Sequence, residues 1–248
     1  MGAFLRPVVL SVVVLFALPT VVTALWWSLV DRPASWRSAD WSSSGLLPAP
    51  ESSDAAIYVL AARTGGFKGA FSAHSWIVLK RPGQRHYDRY DKVGWGLPVR
   101  RNGFVADGYW YSNPPRIVQA ITGEAAVALL PVVEAAIAAY PFAGHGDYRI
   151  WPGPNSNSFV AHVLRQVPRL DVALPANAVG RDYAPGLASV SLSPDRRDLH
   201  VTLGGLVGLA IGRRHGFEIH LLGLVAGVDV ARPALKIPAY GRLELLRR

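Results

Sequence analysis

WPGPNSNSFVAHVL, residues 151–164, decides how this chain is read. Pro152, Gly153 and Pro154 kink the approach, Asn155-Ser156-Asn157-Ser158 follow, and an apolar helical run begins at once with Phe159. Ser and Asn are favoured at helix N-caps, because their side-chain oxygens accept from the free N–H groups of the first turn. The same position suits a nucleophile. A helix N-terminus carries partial positive charge and unpaired donors, both of which favour developing negative charge. Ser156 therefore has two readings, a cap or a nucleophile, and the second needs a base, since a serine hydroxyl is inert until its proton is taken.

Seven histidines are available. His74 lies inside FSAHSWIVLK (71–80), a run rich in aromatic and β-branched residues that reads as a strand. A strand holds a side chain more firmly than a loop does, as catalysis requires. Arg81-Pro82-Gly83-Gln84 marks a turn, and RHYDRYDKVGWG (85–96) is expected to return as the hairpin partner. His86 then becomes a cross-strand neighbour that could orient His74. His162 follows Ser156 by six residues, about 600° of helix rotation, so it is expected to point elsewhere.

Working outward, AIYVLAAR (56–63) reads as a further strand. Residues 116–139 are Ala-, Leu-, Val- and Ile-rich and read as helical, divided near Thr122-Gly123 and Pro131 and stopped by Tyr140-Pro141. DYRIW (147–151) is a short strand candidate, and Phe159 to Val167 a helix ending before Pro168. Residues 171–198 look loop-like, with Pro175, Pro185 and Pro194. Two apolar runs over 199–230 are split by Arg213-Arg214-His215-Gly216. They predict a glycine-rich β-hairpin, with a helical hairpin lying on a membrane as the alternative.

Pro7 to Val30 carries no charge, and at 1.5 Å per residue spans about 36 Å, enough for a bilayer core of roughly 30 Å. Trp26 and Trp27 sit near its far end, where interfacial aromatics belong. An uncleaved anchor is the primary reading. A signal peptide cut after Val22-Thr23-Ala24 is the alternative. Residues 31–54, rich in Ser, Pro and Asp, read as a linker.

The 248 residues are 50% hydrophobic and carry a formal charge of +9. Their basic residues fall in scattered pairs such as Arg100-Arg101, Arg196-Arg197, Arg213-Arg214 and Arg247-Arg248, without the stripe and interleaved aromatics of a nucleic-acid surface. Anionic headgroups are the better match for a diffuse positive charge. The absence of cysteine excludes disulfides, thiolate catalysis and cysteine-bound metal. His145-Gly146-Asp147 offers two potential ligands on one loop without a third, and Asp182 in AVGRDYAP reads as pairing with an arginine or capping a turn. No metal or cofactor is expected.

The order of these features resembles the permuted papain-like fold, the circularly rearranged relative of the NlpC-type peptidases. An early strand carries His (AHSWIVLK), a hairpin, a helix and a short Tyr-bearing strand follow, and Asn-Ser-Asn-Ser-Phe opens a helix. The resemblance implies Ser156 in the place of that family's catalytic Cys, with Asn155, Asn157 and Phe159 as its neighbours. His74 takes the base position, and His86 the polarising position found in its acyltransferase branch. YPF, WPGPNSNSF, AVGRDYAP and RPALKIPAYGR look more closely similar to an uncharacterised bacterial membrane-protein family, domain of unknown function 3750, over roughly residues 55–242.

The expectation is therefore an α+β protein, a permuted papain-like antiparallel sheet packed on helices. Residues 1–30 form a transmembrane anchor or signal, 31–54 a linker, 55–198 the papain-like domain and 199–248 a glycine-rich C-terminal β-hairpin extension. The chain is expected in the bacterial inner membrane as a single-pass protein, with its soluble domain in the periplasm. Its function is expected to be a cleft for a cell-wall peptide, glycan or lipid, with Asn155, Asn157, Trp76 and Tyr148 as binding residues. The alternative is a hydrolase or acyltransferase acting on an amide or ester, in which Ser156 attacks and His74, oriented by His86, is the base. The oligomeric state has no signature in the sequence.

Overall fold

The computed structural model describes residues 2–50, 54–184 and 186–246; residues 51–53 of the expected linker, Pro185 and the Arg247-Arg248 pair lie outside the described residues. The chain opens with one continuous helix: α1 (Gly2–Val12), a π-helical turn (Val13–Ala17) and α2 (Leu18–Ser28). The widened turn precedes Pro19, which has no N–H to give back to it. Leu5–Ser28 is long and apolar enough to cross a membrane. Phe16, Thr23 and Trp27 are its buried side chains. Spaced seven and four residues apart, they share one helix face, and the other faces are open.

Five strands, β1 (Ala56–Arg63), β2 (Ala73–Lys80), β3 (Asp88–Lys92), β4 (Val99–Arg101) and β5 (Arg116–Thr122), form an antiparallel sheet in the order β4-β3-β2-β1-β5. β1 and β2 are central and covered on both faces, which is why they read as near-continuous apolar runs. On one face Ile57, Val59, Ile77 and Leu79 pack under α3 (Gly123–Ala138) and α4 (Ser156–Gln166). On the other, Tyr58, Leu60, Trp76, Val78 and Trp110 form a second core.

The supposed linker covers that second core. Trp41, Leu46 and Leu47 pack on it, and Ser43 Oγ donates to Asp107 Oδ1 at 2.7 Å, so residues 41–47 belong to the domain rather than to a free tether. Two further expectations are corrected. Residues 116–122 form edge strand β5, and α3 begins only at Gly123, because Ile117, Val118, Ile121 and Thr122 are β-branched and β1 has an open edge to pair. Residues 147–151 form no strand; they turn back locally, Arg149 N donating to Pro154 O at 2.9 Å.

The expected C-terminal hairpin is instead a second sheet that begins before residue 199. Seven strands follow one another as a meander: β6 (Ala188–Leu192), β7 (Asp198–Leu203), β8 (Val207–Gly212), β9 (Gly216–Leu221), β10 (Leu224–Asp229), β11 (Ala234–Ile237) and β12 (Gly241–Glu244). Glycine makes its tight turns; between β9 and β10, Leu222 and Gly223 both adopt positive φ.

This sheet has its polarity reversed. Along one cross-strand row of the outer face run Leu192, Leu199, Ile211, Phe217, Val228, Leu235 and Leu243. The matching inner row is Ser191, His200, Ala210, Glu218, Gly227, Lys236 and Arg242. Ile211, Phe217 and Leu192 are exposed, whereas Glu218, His220 and Lys236 are buried. The Val13–Ala17 turn of the N-terminal helix lies against β10.

Candidate functional site

The cap of α4 is Asn155. Its Oδ1 accepts from the backbone N–H groups of Asn157 (2.9 Å) and Ser158 (3.1 Å), while Ser158 Oγ accepts from Asn155 N at 2.8 Å, a reciprocal capping box. Asn155 Nδ2 donates to Ile150 O and Val179 O, and Gly180 permits that approach, since a Cβ there would stand 2.1 Å from Nδ2. Asn157 ties the helix to the sheet: Nδ2 donates to Ala73 O and Val179 O, and Oδ1 accepts from Ser75 Oγ, each at 2.8 Å. Both asparagines are thus spent on holding the kinked loop and the helix start.

That leaves Ser156 as the first helical residue. Among the described residues neither its hydroxyl nor its N–H has a hydrogen-bond partner, although the residue is only 4% exposed. It opens into a cavity of about 230 Å³, lined also by Lys68, Phe71, His74, Tyr148 and Trp151. Tyr148 lies against Gly94, where a Cβ would come within 2.8 Å of the ring, and burial raises its hydroxyl pKa.

His74 reaches the edge of this cavity, but its ring is held on the opposite face of the sheet. On β2, Ser75 faces α4, so His74 and Trp76 face the second core. The imidazole stacks on Trp110, 3.7 Å between centroids at 4°. Its Nε2 lies 3.3 Å from Asp91 Oδ2, which also accepts from Arg89 Nη2 at 3.0 Å. Burial lowers the His74 pKa despite Asp91, so the ring is held neutral. No hydrogen bond joins Ser156 to His74 among the described residues.

His86 is not beside His74. A hairpin folded about Lys80 would pair them. The observed register sets Ile77 opposite Tyr90, moves the turn to residues 83–84, and brings Asp91 to the His74 side. His86 is exposed and contacts Gln84. Trp76 is fully buried under the Arg89 guanidinium and donates to Ala106 O, outside the cleft. Asp91 was missed by sequence reasoning; its signal was the alternation of DRYDK, which puts Arg89 and Asp91 on one face.

The cleft adjoins the N-terminal helix. Trp27 Nε1 donates to Gly66 O at 2.9 Å, and the Trp27 ring fills the space beside Gly69. Both glycines belong to the short 3₁₀ turn Gly66–Ala70, which also carries Lys68. Arg63 lies over Trp26 and Trp27.

The chain belongs to the family described as protein of unknown function DUF3750, whose profile matches residues 54–183, just over half of the chain. That span contains the first sheet, α3, α4 and the cleft, and ends before the second sheet. No curated protein and no solved structure matches the chain.

Proposed function

We propose that this is a membrane-anchored protein that takes the polar end of a lipid into the cleft at the start of α4 and binds it without cutting it. The carrying observation is the shared Gly66–Ala70 turn: it receives Trp27 from the apolar helix and supplies Lys68 to the cleft. A tryptophan at the end of an apolar span favours the headgroup level, so a cleft beside it lies where lipid headgroups are. The cleft chemistry fits such a ligand. Ser156 N–H and Oγ at a helix N-terminus, with Lys68 nearby, favour an anionic oxygen, and Phe71, Tyr148 and Trp151 give an aromatic wall. The apolar outer face of the second sheet and the helix lying on it at β10 supply a lipid-contacting surface. On this reading the apolar span is an uncleaved single-pass anchor in the inner membrane with the globular part on the periplasmic side; its flanking charges, Arg6 on one side and Arg32 and Arg37 on the other, do not set that orientation.

The test is native mass spectrometry of the full chain from nanodiscs of mixed phosphatidylcholine and phosphatidylglycerol. The reading expects preferential retention of phosphatidylglycerol, lost in Lys68→Glu and in the cleft-filling Ser156→Tyr. Equal retention of both lipids, unchanged by either substitution, overturns it.

A second reading, acyl-group hydrolysis or transfer of permuted papain-like type, is favoured by the unbonded Ser156 hydroxyl and N–H in one cleft with His74, whose Nε2 faces Asp91. It would need His74 Nδ1 to reach Ser156, and so the ring to leave Trp110.

A further inference from the structure

A second cluster of chemistry-bearing side chains sits between the last loop of the family domain and the inner face of the second sheet. Asp182 comes from the loop after α4, His200 from β7 and His220 from β9, and all three are buried. Their nearest ligand-type atoms lie within 4.8 Å of one another. His220 Nδ1 is 3.1 Å and His200 Nε2 3.4 Å from Asp182 Oδ1.

These short distances are not hydrogen bonds. Asp182 Oδ2, His200 Nε2 and His220 Nδ1 all lack a hydrogen-bond partner, although each residue is more than nine-tenths buried. Leaving a buried polar atom unpaired costs about 1–3 kcal/mol, so three at one point require an explanation. His220 Nε2 lies 3.1 Å from Glu218 Oε2; in the neutral tautomer that donates there, Nδ1 turns a lone pair toward Asp182, and a positive centre between the two would relieve their repulsion.

We infer that Asp182, His200 and His220 bind one divalent transition-metal ion, with Zn²⁺ the best match to the donor set. Imidazole and carboxylate ligands bind zinc at about 2.0–2.2 Å, which puts tetrahedral ligand atoms roughly 3.3 Å apart. The observed 3.1 and 3.4 Å separations bracket that edge. The Glu218 carboxylate is the outer partner that a metal-bound histidine commonly uses to fix its tautomer. Glu218 is itself held by Arg181 at 2.5 Å and by Lys236, so its charge is matched before the metal arrives. Gly208, opposite His220 on β8, keeps the site open, since a Cβ there would stand 3.2 Å from Nδ1.

Asp182 and His200 also line a cavity of about 220 Å³, together with Arg165, Arg181 and Arg214, that gives a further ligand a way in.

The experiment uses the full chain purified in detergent and stripped with a chelator. Titration with Zn²⁺ by calorimetry, and with Co²⁺ by visible absorption, is expected to give one ion per chain and the intense bands of a four-coordinate cobalt site. His200→Gln, His220→Gln and Asp182→Asn are expected to weaken Zn²⁺ binding by more than about 100-fold, and Glu218→Gln by roughly 10–100-fold. His145→Gln, on a separate loop, is expected to leave it unchanged. X-ray absorption of the zinc-loaded wild type needs no variant to fold, and should report two imidazoles and oxygen donors near 2.0–2.1 Å. Absence of stoichiometric binding, retention of binding in His200→Gln and His220→Gln, or a zinc spectrum without imidazole overturns the site.

Discussion

The imidazole of His74 lies flat on the indole of Trp110, 3.7 Å away and 4° from parallel, on the face of the first sheet that α4 does not touch. One residue on, Ser75 bonds to Asn157 at the start of α4. The pleat of a single strand thus separates a histidine and a serine that the sequence invites one to pair. His74 is anchored by Trp110 and Asp91, while Ser156 faces the cleft with its hydroxyl and N–H free.

The stability cost of losing each residue follows from its bonds. Asn155→Ala removes a cap accepting two N–H groups and is expected to cost about 2 kcal/mol. Ser156→Ala removes a hydroxyl with no partner and should change stability by less than ~0.5 kcal/mol. Denaturant unfolding of the two variants measures the contrast.

His74→Ala should behave as a core deletion, losing about 2–4 kcal/mol by leaving a gap against Trp110 and an under-paired Asp91. If a pair with Ser156 were the residue's purpose, the cost would fall on reactivity with stability little changed.

Acid sensitivity should appear earlier than the carboxylates alone dictate. Burial depresses the pKa values of both His74 and His200 below 6.5, so the unfolded chain takes up their protons first. Their contribution is complete above about pH 6.5 and is lost as pH falls toward the folded values. Asp182, at about 2 against 3.8, adds a second loss between those two values. Melting temperatures of the chelator-stripped chain from pH 8 to pH 5 should fall, and less steeply in a His74→Gln, His200→Gln double variant.

The reversed second sheet can be probed cleanly, because the chain has no cysteine. An environment-sensitive fluorophore on Val190→Cys, on the outer face, should shift to the blue when the full chain enters vesicles. The same label on Arg101→Cys, at the edge of the first sheet, should keep its aqueous spectrum. Identical spectra would remove the outer face from the lipid-contacting surface.

Much of the first sheet was legible because its signals are local. β1 and β2 are apolar runs of strand length, Arg81-Pro82-Gly83-Gln84 is a turn, and Pro168 bounds α4. The second sheet was not, since strands of four to six residues punctuated by glycine have little periodicity, and an apolar outer face inverts the usual sign of the pattern. The cleft was half legible. Composition placed Ser156 at a helix start, but a shift of hairpin register decided that Asp91, not His86, meets His74. The convergence of Asp182, His200 and His220 depends on contacts across a loop and two strands, which no local pattern encodes.

The most direct test of the central claim, that Ser156 serves a binding cleft and His74 does not activate it, is labelling of the full chain in detergent with a fluorophosphonate probe. Wild type, Ser156→Ala and His74→Ala would be compared, with folding of each checked by circular dichroism. The account predicts no labelling that depends on Ser156. Labelling of the wild type that disappears in both folded variants would contradict it and establish an activated serine.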